Sequence, residues 1–210
     1  MINKKLAEYL DISKIQATKI EMSILFLLVE ANKINRTIYK TYVLKFMSFL
    51  EWKMAQKYGE HFFRTDFIAL ENGPVPGSFM DYIDNNPNCK FNYFMCKNIN
   101  INNNNSKTKI FYLKDLNSEK FINLDYFSDV EKPLLKEAVN WIFSFNKVGE
   151  LSEDTHLKMK SWKQAWTKAQ QEGKKSIIFD FALDISKNED DETYEIIKLY
   201  KELGYKKNGN

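Results

Sequence analysis

Histidine and cysteine are nearly missing from this chain of 210 residues, with two of each, and glycine and proline are scarce at seven and four. Each shortage closes off a class of chemistry. His61 and His156 lie far apart in sequence and no Asp, Glu or Cys cluster accompanies them, so a metal site is poorly supplied and no bound metal or other cofactor is expected. Cys89 and Cys96 match neither a disulfide framework nor the short spacing of a zinc knuckle, and they read as buried thiols. None of the glycines stands at G-x-x-x-x-G-K or G-x-G-x-x-G spacing, which removes the usual cradle for a nucleotide phosphate.

Long apolar runs are missing as well. The longest, residues 24–29, is about one and a half helical turns, well short of a membrane span. With no charged-then-apolar leader at the N-terminus, the expectation is a cytoplasmic protein that does not enter a membrane. Neither sign of charge dominates: 31 Lys and Arg stand against 28 Asp and Glu, a formal +3. That balance argues against nucleic-acid binding through bulk charge. A mild polarity remains, since the N-terminal third is the more basic and residues 184–202 are rich in acids.

What the chain does have is apolar and aromatic surface to bury, 44% and 15% of residues respectively, enough for one sizeable core. The reading is mainly α: a single helical domain with a small antiparallel β-sheet or hairpin. It divides into an N-terminal arm or helix over 1–20, the helical domain over 21–184, and a C-terminal helix and tail over 185–210. Residues 21–31 carry apolar side chains all around a helix, the pattern of a core element. A long amphipathic helix over 38–58 comes next, with Tyr42, Val43, Phe46, Met47, Leu50 and Met54 on one face and Gly59 at its cap. Phe63, Thr65, Phe67 and Ala69 then alternate as a short strand.

The stretch Leu70-Glu71-Asn72-Gly73-Pro74-Val75-Pro76-Gly77-Ser78 concentrates turn chemistry. Gly73 gives backbone freedom, while Pro74 and Pro76 fix φ and remove donors, so neither helix nor strand is expected to run through it. A helix with Phe79, Tyr82 and Ile83 leaves this corner and stops at Asn85-Asn86-Pro87. Residues 98–105 are asparagine and isoleucine and read as a low-complexity loop. Residues 109–113 form a second strand, expected to pair with the strand before the corner. Ser128 and Glu131 form a capping box for a helix with Leu134, Leu135, Ala138, Val139, Ile142 and Phe143, ending near Val148-Gly149. Ser152 is the candidate N-cap of the next segment, Ser161 opens a helix bearing Trp162, Ala165, Trp166 and Ala169, and residues 176–183 are strand or coil. A last helix is expected over 190–203.

Catalysis finds little support. Ser152 and His156, four apart, share a helix face, but a triad also needs a carboxylate, and the capping role accounts for Ser152 more simply. Glu153-x-x-His156 has the spacing of a di-metal helix, yet a second such pair is lacking. No catalytic residue is therefore assigned. Of the four tryptophans, Trp141, Trp162 and Trp166 coincide with apolar stripes, leaving Trp52 as the one least committed to the core and a candidate interface anchor.

Two motifs together carry a family resemblance. The order is a buried helix, the helix with Tyr42-Val43-Leu44-Lys45-Phe46-Met47-Ser48-Phe49-Leu50, then Phe67-Ile68-Ala69-Leu70-Glu71-Asn72-Gly73-Pro74-Val75-Pro76, and finally Glu150-Leu151-Ser152-x-x-Thr155-His156 with Trp162 after it. Over residues 23–169 this resembles the Panacea antitoxin domain, the SocA-like family also labelled phage-associated proteins. The resemblance implies a mostly helical cytoplasmic module that neutralises a toxin by direct binding, or an adaptor that delivers its toxin to a protease, as for the SocA relative. Such genes sit in toxin–antitoxin pairs and prophages. The chain departs from the family in its more aromatic second helix, its asparagine-rich insertion and the lack of an appended helix-turn-helix. A mobile-element protein that inhibits another host system, or a DNA-binding regulator, stays open as an alternative. The expected partner is a protein, and Asn72, Gly73, Pro74, Val75, Ser152, Thr155, His156 and Trp52 are the candidate partner-binding residues. The two motifs are expected to pack together and hold the small sheet on the helical body.

Overall fold

The computed structural model describes residues 4–86, 88–101 and 106–185. The expected helix over 190–203 lies outside the described residues. Among those described, seven α-helices and two three-stranded sheets alternate along the chain.

The centre is built on two helices. α2 (Lys14–Lys33) starts where Ser13 Oγ accepts from the Gln16 N–H at 3.2 Å, and it buries Ile20, Ile24, Leu25 and Leu27 completely. Before it, the short α1 (Lys4–Leu10) packs Leu6 and Leu10 into the core. α3 (Lys40–Tyr58) ends at Gly59, whose φ of 63° is the left-handed cap conformation that glycine tolerates best. The expected single apolar face of α3 is too narrow a description. Leu44, Lys45, Ser48, Phe49, Glu51 and Trp52 are also buried, because sheets and helices cover this helix on most sides.

α5 (Glu131–Phe143) packs against α3 and α2. Glu131 Oε2 accepts from the Ser128 N–H at 2.8 Å, so the expected reach-back is present, with the helix beginning at Glu131 itself. The same carboxylate forms a buried ion pair with Lys19 of α2, whose ammonium lies over the Phe62 ring. Removing one member of such a pair costs roughly 3–5 kcal/mol, since the other charge is left buried alone. α5 ends at Phe143 rather than near Val148, where Arg36 donates to the Phe143 and Phe145 carbonyls.

One sheet has the order β1-β5-β4, with β1 (Ile38–Tyr39), β4 (Phe94–Ile101) and β5 (Ser106–Leu113). The other has the order β3-β2-β6, with β2 (Phe67–Leu70), β3 (Gly73–Pro76) and β6 (Ile177–Phe179). Residues 109–113 therefore pair with Ile38–Tyr39 and with β4, not with the strand before the corner as expected. The eight-residue ladder between β4 and β5 outweighs a distant pairing, and it takes residues 98–101 of the asparagine-rich stretch into a strand. Cys89 and Cys96 are buried as expected but joined as a disulfide instead of standing as two thiols; Cys96 N–H donates to Cys89 O at 2.9 Å, which brings their Cα atoms to 5.3 Å.

The proline-bearing corner also differs from expectation, because Gly73–Pro76 is itself a strand. It is an edge strand, antiparallel to β2. Pro74 and Pro76 are two apart, so their missing N–H groups fall on the same, unpaired side of the ladder, the one place in a sheet where proline is harmless. α4 (Gly77–Asn85) leaves this strand directly and buries Phe79, Tyr82 and Ile83.

Candidate functional site

The geometry converges where the β2–β3 hairpin meets three helices. Leu70 pairs with Gly73, so Glu71 and Asn72 alone make the turn, and Gly73 takes φ 102° to close it. Beneath the hairpin lies α3. Ser48 Oγ donates to Pro74 O at 2.9 Å, and the Lys45 ammonium donates to Asn72 O.

α6 (Val148–Lys158) approaches from the other side. Ser152 sits inside this helix and does not cap it, because the helix begins four residues earlier; Glu150 Oε2 accepts from the Lys147 N–H at its start. Thr155 Oγ1 donates to Ser152 O at 2.6 Å and accepts from Lys45 Nζ at 3.2 Å. One lysine thus ties α3, the hairpin turn and α6 together.

α7 (Lys160–Gln171) completes the corner. Trp162 Nε1 donates to Leu70 O at 2.9 Å, and the Trp162 ring stacks on His156 with centroids 4.1 Å apart and planes 3° from parallel. The α7 N-terminus is held from a distance: Asp184, itself buried, accepts from the Lys160 and Ser161 N–H groups at 2.7 and 2.9 Å. Ser161 Oγ returns a bond by accepting from the Leu183 N–H at 3.1 Å.

Burial dominates the electrostatics. Lys45 is 1% exposed and its acceptors are a carbonyl and a hydroxyl, so loss of hydration lowers its pKa from the usual 10.5 to about 7. Burial also lowers the pKa of His156, helped by the nearby Lys45 charge and opposed by a hydrogen bond to the Glu71 backbone and by Glu153. His156 Nε2 has no hydrogen-bond partner among the described residues. An amine poised near neutrality is the profile of a nucleophilic lysine. Here it is sealed from solvent and engaged as a cross-link between elements, which is a structural use.

Of the eight candidate residues, seven gather at this corner and Trp52 does not join them. Gly73, Pro74, Val75, Ser152 and Thr155 are buried; Asn72 is exposed and His156 half-buried. Trp52 is 4% exposed, stacked edge-on against Phe49 with Lys53 over its ring. Sequence reasoning left out Lys45 and Ser48. Their signal was present: a lysine and a serine three apart in a helix otherwise filled with Leu, Phe and Met are polar groups that must find buried partners. Glu71, Glu153 and Leu157 are exposed around the same corner, Leu157 at 85%.

Among the described residues no group of three or more His, Cys, Asp or Glu side chains is placed to hold a metal ion. No helix among them is long and apolar enough to cross a membrane. Comparison with curated proteins and with solved structures gives no match. A family model does match: the antitoxin SocA-like, Panacea domain, over residues 43–207. The matched span starts within α3, two residues before Lys45, and takes in the hairpin, α6 and α7. The chain belongs to the SocA-like antitoxin family defined by the Panacea domain.

Proposed function

We propose that this protein is a cytoplasmic antitoxin that neutralises a cognate toxin by binding it directly. The family match over residues 43–207 is the observation that carries the reading. The corner supports it in a second way. Lys45, Ser48, Thr155 and Trp162 spend their polar groups on fixing the hairpin to α6 and α7, which favours a rigid platform over a reaction centre.

The residues that this platform presents outward are Glu71, Asn72, Glu153, His156 and Leu157. Leu157 supplies an apolar anchor, and Glu71 and Glu153 give the rim a negative sign. On this reading the motif residues Gly73, Pro74, Val75, Ser152 and Thr155 hold the face in shape, and Asn72 and His156 touch the partner. The recognised toxin surface is then basic at its rim, with an apolar recess for Leu157.

Co-expression tests the reading. The protein encoded beside this chain is expected to arrest growth alone, and this chain is expected to restore growth and to co-purify with it. Rescue without a stable complex would sink the direct-binding reading. Rescue that needs a cellular protease and lowers the toxin's abundance would replace it with an adaptor role.

A further inference from the structure

The near-neutral charge of the whole chain conceals a local imbalance. Residues 85–114 hold five lysines and no Asp or Glu, which leaves 26 basic against 28 acidic residues in the rest of the chain. The same stretch holds ten asparagines, and it is the part of the chain that builds β4 and β5.

The fold makes a projecting element of it. β1 pairs with β5 only at Ile110 and Phe111, and past that point the β4–β5 ladder continues for four pairs, from Asn98 and Lys109 to Ile101 and Ser106, with no third strand among the described residues. At about 3.3 Å per residue this is a two-stranded ribbon roughly 13 Å long. Its base is fixed, because buried Lys109 donates to the Ile83 and Asn86 carbonyls at the end of α4. Alternation along β4 puts exposed Asn98 and Asn100 on one face and exposed Lys97 on the other. Lys107 stands opposite Asn100 in the ladder, and exposed Lys90 is bridged to Met95 beside the base.

Carboxylates leave this group of cations uncompensated. Among the described residues, Lys90, Lys97, Lys109 and Lys114 form no ion pair. Asp84 acts on Lys109, but it is 2.8 Å from Lys40 Nζ and already paired there. The Lys114 charge acts on Glu21, which is buried and accepts both the Asn92 backbone and side-chain N–H groups. Asp115, next along the chain, pairs with Lys120.

We propose that the β4–β5 ribbon binds duplex DNA in the major groove, with Lys90, Lys97 and Lys107 on backbone phosphates and the Asn98 and Asn100 amides at base edges. The major groove of B-DNA, about 12 Å wide, admits a two-stranded ribbon, and an asparagine amide matches the N6 and N7 positions of adenine. The major groove of A-form RNA is too narrow for side chains to read. Unpaired lysines supply the phosphate contacts that position the ribbon and carry its affinity. The ribbon shares no residue with the toxin-facing corner, so this inference is independent of the proposed function.

Fluorescence anisotropy of the full chain with labelled 20-base-pair duplexes tests it. A dissociation constant of about 1–100 μM is expected at 50 mM salt, and three phosphate contacts weaken it about sixfold at 100 mM. Lys97→Gln with Lys107→Gln is expected to weaken binding at least tenfold and to flatten the salt dependence. Lys160→Gln with Lys163→Gln on α7 removes the same charge and is expected to change binding less than twofold, with thermal melts of both variants matching the native protein. Native protein is expected to prefer an A·T-rich over a G·C-rich duplex at least threefold, and Asn98→Ala with Asn100→Ala to erase that preference. No binding at 50 mM salt, or equal loss in the ribbon and α7 variants, would overturn the proposal. So would an unchanged A·T preference in the asparagine variant, or competition by duplex RNA, polyglutamate or anionic vesicles stronger than by unlabelled duplex DNA.

Discussion

A methyl group placed on Gly73 would fall onto the Lys45 ammonium and lie 2.8 Å from Thr155 Oγ1, so the hairpin glycine and the buried lysine occupy complementary space. This explains why the turn closes on a residue without a side chain. Its φ of 102° strains any other residue, and the volume that a Cβ would need already holds the group that fastens the turn.

Gly73→Ala is accordingly expected to destabilise the fold by about 2–4 kcal/mol, combining left-handed backbone strain with overpacking against the buried Lys45 amine. Gly149→Ala is the control with the opposite sign. It lies in α6 with nothing within 4 Å of its added carbon, and a gain of a few tenths to about 1 kcal/mol is expected. Urea denaturation of both variants reads the difference. Equal effects would mean that the Gly73–Lys45 packing is not what selects glycine.

Lys45 predicts a pH dependence with a definite sign. Its folded pKa of about 7 is below the unfolded value of 10.5, so between these limits the unfolded chain binds the proton and the folded chain does not. Stability then rises with pH across that window, by up to about 1.4 kcal/mol per pH unit for one proton. Below pH 7 the lysine is charged in both states and the cost of burying that charge is at its full value. Measured at pH 6 and pH 9, the stability of the native protein minus that of Lys45→Met is expected to be larger at pH 9. A difference that stays flat with pH would show that Lys45 keeps an ordinary pKa.

Asp184 holds two backbone donors of the α7 N-terminus, and no sequence motif near Lys160 announces it. Asp184→Ala is expected to cost about 1–2 kcal/mol, the range for loss of an N-cap. In a domain of this size each kcal/mol lowers Tm by about 2–4 °C. Asp184→Asn, which keeps one acceptor, is expected to lose less. A thermal melt in which both variants match the native protein would remove Asp184 as the anchor of this helix.

These particulars show where sequence reading succeeds and where it stops. The helices over α2, α3, α5 and α7 were legible because apolar spacing and glycine caps are local signals. The strand pairing was not. A strand over residues 109–113 says nothing about its neighbour, and the β4–β5 ladder was hidden by isoleucines and asparagines that resemble a loop in isolation. Gly73–Pro76 looks like a break in the sequence because proline forbids a central strand, while the edge position that excuses it is a property of the assembled sheet. The meeting of the two motifs was visible as an expectation. The partners of Lys45 were not, since only the fold reveals that its ammonium points between the Asn72 carbonyl and Thr155.

Leu157 separates a recognition role for this corner from a purely structural one. It is 85% exposed, adjacent to His156 in the last turn of α6, and it takes no part in the core. Leu157→Asp is therefore expected to leave stability within about 0.5 kcal/mol of the native value. As a central apolar anchor it would contribute about 2 kcal/mol or more to the complex, so toxin affinity is expected to fall by roughly thirtyfold. Leu116→Asp is the matched control, because Leu116 is 76% exposed on the connection after β5 and lies outside the proposed face. Titration calorimetry with the purified toxin distinguishes the two. If Leu116→Asp weakens binding while Leu157→Asp does not, the toxin docks on the β5 side of the molecule, and the corner built around Gly73, Lys45 and Thr155 serves the fold alone.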